Sequence, residues 1–199
     1  QEEQPVSPNL TITHKGVVNE SSTTKHTFEI KASNTDDSQV QLLFQNRATA
    51  GPSTITYKVK PTTDDLQSGG IMAFHQRSSA GSANFEVYVG KRTPPGYETV
   101  GGEIRFLHHS TAASATFKAY GTTGTDSDTF GNVVFHNFAT ADSATFTSEG
   151  GQVPAGDGGN TQFYEQATAA NATIDNKGAT VGTANGGDVA FDGTATAAN

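Results

Sequence analysis

Side chains able to carry acid–base chemistry are scattered along this chain. Asp126, Asp128, Asp142 and Asp157, with Asp64 and Asp65 nearer the N-terminus, are the acidic candidates. Hydrolysis of a polysaccharide needs two carboxylates flanking one glycosidic bond, or a comparable acid–base pair in a groove. These aspartates fall in different turn-like segments and do not recur as a pair on one strand face, so solvated turn residues are the better account of them. Tyr88, Tyr97 and Tyr120, joined by Asp126, are the candidates for glycan contact, since a tyrosine combines an apolar ring with a polar tip. The histidines form a second group. If the chain stacks regularly, His75, His109 and His136 approach one face, where imidazoles suit a transition metal, while alternation sends His108 to the other side. Their offsets within the period differ, so a solvated polar face is preferred and no metal ligand is assigned.

Other motifs add little chemistry. Gly156-Asp-Gly-Gly-Asn160 is similar to the glycine and aspartate turns that hold calcium in repeated nonapeptides, but a single copy builds no such site and reads as a turn. There is no GxSxG, phosphate-binding loop, HExxH or EF-hand pattern, and without cysteine there is no thiol nucleophile, disulfide or thiolate metal site. No catalytic residue and no cofactor is assigned. Asn9, Asn19 and Asn171 begin N-glycosylation acceptor triplets, which a Thr-rich chain supplies largely by chance.

What positions these residues must be a repetitive β structure. With 199 residues, 33% hydrophobic, no Trp, one Met and 22 Gly, the chain cannot fill a large globular core and is poor for helices. Its net charge of -8 leaves little electrostatic attraction for nucleic acid or anionic membrane surfaces, because both attract Lys and Arg. No stretch has the length of an apolar membrane span, so this segment is not expected to insert in a membrane.

Six phenylalanines, Phe44, Phe74, Phe106, Phe135, Phe163 and Phe191, recur at spacings of 30, 32, 29, 28 and 28 residues. Ala50, Ala80, Ala112, Ala141, Ala169 and Ala197 follow six residues later, and Ile55, Phe85, Phe117, Phe146 and Ile174 eleven later. Four residues before the Phe stand Gly70, Gly102, Gly131, Gly159 and Gly187, with Val40 in the first copy; two before it stand Leu42, Met72, Ile104, Val133, Thr161 and Val189. Strand side chains alternate between faces, so the residue at minus two and the Phe point inward together. A second short strand, Ala-Thr-Phe or Ala-Thr-Ile, presents its last residue inward, and Val153 and Val181 are candidates to seed a third. Hairpins in a sandwich would not require one side chain at one offset six times, and disorder lacks patterned Phe, Ile and Val.

The expected fold is therefore all-β: a right-handed single-stranded β-solenoid of about six coils of 28–32 residues behind an N-terminal β cap. Residues 1–39 are the cap, or a degenerate first coil aligned on Val17 and Phe28 with strands at Leu10–Thr13 and Thr27–Ile30. Coils follow at 40–69, 70–101, 102–130, 131–158, 159–186 and, truncated, 187–199. The register predicts another strand just past Asn199, which points to the N-terminal part of a longer protein or to a covered last coil.

The run Gly-x-x-x-Phe followed by Ala-Thr-Ala-Ala-Asn-Ala-Thr-Ile at 159–174 resembles repeats of large secreted and surface-displayed bacterial β-helix proteins, the class of autotransporter passengers and filamentous-haemagglutinin-like adhesins. The resemblance covers about 40–199 and implies export to the cell surface or beyond, an elongated rod, and adhesion or display. The expected function is a non-enzymatic structural or adhesive rod segment, partnered by copies of itself, end-on or lateral, or by surface glycans. The alternative is a polysaccharide-binding or polysaccharide-degrading β-helix using the long loops around 57–69, 87–101 and 119–130.

Overall fold

The computed structural model describes residues 9–31, 40–61, 69–90, 101–123 and 131–197. Among them there are short strands and no helix. One parallel sheet contains, in spatial order, β1 (Asn9–Ile12), β3 (Gln41–Phe44), β5 (Ile71–Phe74), β7 (Glu103–Phe106), β9 (Asn132–Phe135), β11 (Asn160–Phe163) and β13 (Asp188–Phe191). The other runs β2 (His26–Ile30), β4 (Ile55–Val59), β6 (Asn84–Val87), β8 (Thr116–Ala119), β10 (Thr145–Ser148) and β12 (Thr173–Asn176). Each strand between the ends of its sheet bonds to its equivalent one coil before and one coil after, which is the β-solenoid that the columns require.

Why these residues make these strands is visible in the interior. Phe44, Phe74, Phe106, Phe135, Phe163 and Phe191 are register partners in sequence, with ring centroids 4.5 to 4.9 Å apart. Leu42, Met72, Ile104, Val133, Thr161 and Val189 form the row beside them. A second stack, Phe28, Tyr57, Phe85, Phe117 and Phe146 followed by Ile174, meets the first edge-on: Phe106 and Phe117 lie 5.8 Å apart at 78°. Offset stacking along the axis and edge-to-face contact across it are both favoured by the ring quadrupole.

Two expected registers are corrected. Ile55 does not occupy the second aromatic row; Tyr57 does, opposite Phe28 and Phe85. The corner after Phe44 is two residues longer than the one after Phe74, so Ile55 instead takes the position of the small Ala83 and lies against Gly51, where an added Cβ would come within 3.3 Å of it. In the first coil Ile12, not Val17, stands opposite Phe44; Val17 follows the Gly16–Thr49 bridge and donates its N–H to the Thr49 carbonyl.

The corners explain the small residues. The second position after each inward Phe or Ile is left-handed in every coil: His14, Asn46, Gln76, His108, Asn137, Glu165 and Gly193 have φ of 58 to 70°. The seventh position is left-handed as well, in Gly51, Gly81, Ala113, Asp142 and Ala170. Between these turns runs a bridged row of Thr49, Ser79, Thr111, Thr140, Thr168 and Thr196. The hydroxyl in this row accepts the N–H two residues on in Thr49, Ser79, Thr111, Thr140 and Thr168, which holds the turn that follows. This row, rather than the expected Val153 and Val181, forms the third ladder, because those two valines lie in bends of the variable segment. The glycine row is a close approach: a Cβ on Gly70, Gly102, Gly131, Gly159 or Gly187 would sit 2.0 to 2.5 Å from the carbonyl ending a second-sheet strand.

Candidate functional site

The two described tyrosines of the expected glycan site come together on the outer face of the second sheet. There a row Glu29, Lys58, Glu86, Lys118, Thr147 and Asp175 runs along the axis, and Lys60, Tyr88 and Tyr120 follow the ends of their strands. Tyr88 and Tyr120 stack at 4.7 Å and 22°. The Lys60 ammonium lies 3.2 Å from the centre of the Tyr88 ring and Lys118 4.8 Å from that of Tyr120. Opposite charges alternate along the rows: Lys58 pairs with Glu86 at 3.6 Å and Lys118 with Glu149 at 2.9 Å.

Electrostatics follow this packing. Burial, then the hydrogen bond and charge of Glu86, push the Tyr88 hydroxyl far above the usual phenol range, and Tyr88 donates to Glu86. Burial holds the Lys60 amine below its ordinary value, and Glu149 raises that of Lys118. The chemical consequence concerns the ring faces. One face of Tyr88 lies under Lys60 and the other against Tyr120, so what the ladder offers outward is ring edges and charged tips rather than an open plane for a sugar. Tyr97 and Asp126 lie outside the described residues, as do Asp64, Asp65 and Asp128. Asp142 is exposed in a left-handed turn, as a solvated turn residue should be.

The histidines are arranged differently from the expectation. His75 has His108 as its ring neighbour, at 5.7 Å, although alternation assigned them to opposite sides. Positive φ at His108 breaks the strand alternation and swings its ring round. His109 stacks on Phe138 at 5.0 Å and His136 on Tyr164 at 5.1 Å. Among the described residues no three His, Asp or Glu gather to hold a metal. Burial and the nearby His108 keep the His75 imidazole below its usual pKa.

The left-handed row does have a regular polar job. Gln76 Oε1 accepts the Asn46 N–H at 2.5 Å, Asn137 Oδ1 accepts that of His108 at 3.0 Å, and Glu165 accepts that of Asn137 at 2.6 Å. His108 Nδ1 faces the Gln76 N–H at 3.4 Å in the same pattern. Each side chain thus satisfies a backbone donor that the turn in the preceding coil leaves free.

One arrangement was missed by reading Gly156-Asp-Gly-Gly-Asn160 as a lone motif. Ala184-Asn-Gly-Gly-Asp188 lies one coil on, with Asn160 opposite Asp188. Asn185 Nδ2 donates to Asp157 Oδ1 at 2.7 Å, and a cavity of about 480 Å³ opens among Asp157, Asn160, Asn185, Asp188 and the intervening glycines. Applying the 28-residue period to the loops, and not only to the strands, would have revealed the second copy. Comparison of the chain with protein-family models, with curated proteins and with solved structures finds no match in any of the three.

Proposed function

We propose that the chain is a non-enzymatic rod segment of a larger secreted or surface-displayed protein, of the autotransporter-passenger or filamentous-haemagglutinin-like kind, acting by display, packing or adhesion. On this reading the solenoid is right-handed, has six coils from residue 40, and is capped by residues 1–39. The observation that carries the reading is the continuity of the ladders: both sheets run coil after coil, and the outward charged and aromatic side chains are spent on neighbouring coils. Such a surface suits a spacer more than a recognition groove.

Partly exposed apolar residues mark the two ends, with Leu10 63% and Phe28 42% exposed at one and Phe191 37% exposed at the other. Packing of copies, end-on or lateral, belongs to the same proposal. The test combines shape with activity. Small-angle scattering should give an elongated particle, and a polysaccharide library should yield neither new reducing ends nor glycan-array binding. Cleavage of any polysaccharide that is lost in Glu86→Gln or Asp142→Asn would reject the reading in favour of a carbohydrate-active β-helix.

A further inference from the structure

We infer that the stacked turns at 156–160 and 184–188 form a site for a hard divalent cation of the calcium class, clamping two successive coils. Three independent features of the same place converge on it. The first is the donor set: Asp157 and Asn160 from one coil and Asn185 and Asp188 from the next line a single cavity. All four are oxygen-bearing side chains, the ligand type that calcium takes in sets of six to eight at about 2.3–2.6 Å. Neither aspartate has an ion pair among the described residues, so two negative charges face the cavity without a cationic partner there.

The second feature is a concentration of buried oxygen atoms without hydrogen-bond partners. Asn160 is 8% exposed and its Oδ1 has none. Asn132, its register neighbour, has an unpartnered buried Oδ1, and Thr122 is fully buried with an unpartnered Oγ1. Thr122 is fastened to the same turn, its N–H donating to the Asp157 carbonyl at 2.7 Å. Burying an acceptor without a donor is costly, and Asn160, the one of these three that lines the cavity, is where a cation would supply the missing partner.

The third feature is backbone. A Cβ on Gly158 would lie 2.1 Å from the Gly186 carbonyl oxygen, and Asn185 and Asp188 donate their N–H groups to the Gly156 and Gly159 carbonyls at 2.9 Å. The glycines therefore bring the two turns close enough for both to reach one ion. Bound there, the cation would tie β11 to β13 in the part of the solenoid whose second-sheet strand, β12, is mostly exposed.

Equilibrium dialysis of the whole chain against calcium, after treatment with a chelator, tests the inference directly. One calcium should bind, with a dissociation constant of about 0.1–1 mM, the weaker range for such sites. At tenfold excess over that constant, calcium should raise Tm by roughly 3–6 °C. Asp157→Asn and Asp188→Asn should each weaken binding at least about tenfold, Asn160→Asp should tighten it, and Asp175→Asn, outside the cavity, should leave it unchanged. Circular dichroism checks that each variant keeps its β signal; the wild-type dialysis decides even where a variant fails to fold. No bound calcium at 5 mM or so, which is several times that constant, or binding unaltered in the folded Asp157→Asn and Asp188→Asn variants, overturns the site.

Discussion

Tyr57 shows how much a single residue does in this interior. It stacks between Phe28 and Phe85, meets Phe44 edge-on, and donates its hydroxyl to the Ala50 carbonyl at 2.8 Å. Tyr57→Phe should cost about 1–2 kcal/mol at neutral pH, measured by urea unfolding, since a buried acceptor loses its donor. Burial raises the Tyr57 pKa well above the ordinary 10.0. A group with a raised folded pKa contributes its stability fully below the unfolded pKa and loses it as pH climbs through the folded one, so wild-type stability should fall above pH 10 or so. The phenylalanine variant should show a shallower alkaline loss; an identical slope would place the alkaline sensitivity elsewhere. At Gln76, φ of 60° strains a branched-free but non-glycine residue, while the amide oxygen is needed by Asn46. Gln76→Asn keeps an acceptor on a residue that tolerates this conformation, as Asn137 already does, and should stabilise by about 0.5–1 kcal/mol.

Strands and corners respond to substitution according to their row. Phe106 has Phe74 at 4.7 Å on one side and Phe135 at 4.5 Å on the other. Phe106→Ala should therefore cost about 3–5 kcal/mol, whereas Phe191→Ala, at the partly exposed end of the same row, should cost far less; denaturant midpoints compare the two. Gly102→Ala forces a Cβ against the Val59 carbonyl at 2.4 Å, a backbone neighbour that cannot swing aside. Its loss of stability should exceed the ordinary glycine-to-alanine effect of about 1 kcal/mol and carry the opposite sign. Ala112 is fully buried between equivalent alanines, so Ala112→Leu should destabilise by overpacking, by about 1–3 kcal/mol.

The whole molecule is a one-dimensional array, in which a coil is stabilised chiefly by the coils above and below it. Amides of β7 and β9, paired on both sides, should exchange hydrogen at least about tenfold more slowly than those of β12 and β13 at the end of each sheet. Mass spectrometry at rising protein concentration then distinguishes an exposed end from a covered one. Protection of β12 and β13 that grows with concentration would support end-on packing, and its absence would leave the rod to act singly.

Much of this architecture was legible in the sequence because a repeated coil writes its contacts as a period. Six phenylalanines at one offset determined the first aromatic stack, and the alternation beside them determined which side chains face inward. The sequence alone also supplied Tyr88 and Tyr120, together with Tyr97 and Asp126, as candidates for glycan contact. Only the tertiary structure decided that their rings face each other and Lys60, since stacking direction depends on the coil axis and not on spacing. It also decided that Tyr57 replaces Ile55, because a two-residue insertion at a corner shifts register without disturbing hydrophobic count. Left-handed corners, which strand alternation cannot foresee, turned His108 toward His75. Asp142 was legible as a solvated turn residue, but that Asp157 meets Asp188 at one cavity follows from segments one coil apart being brought together by the stack.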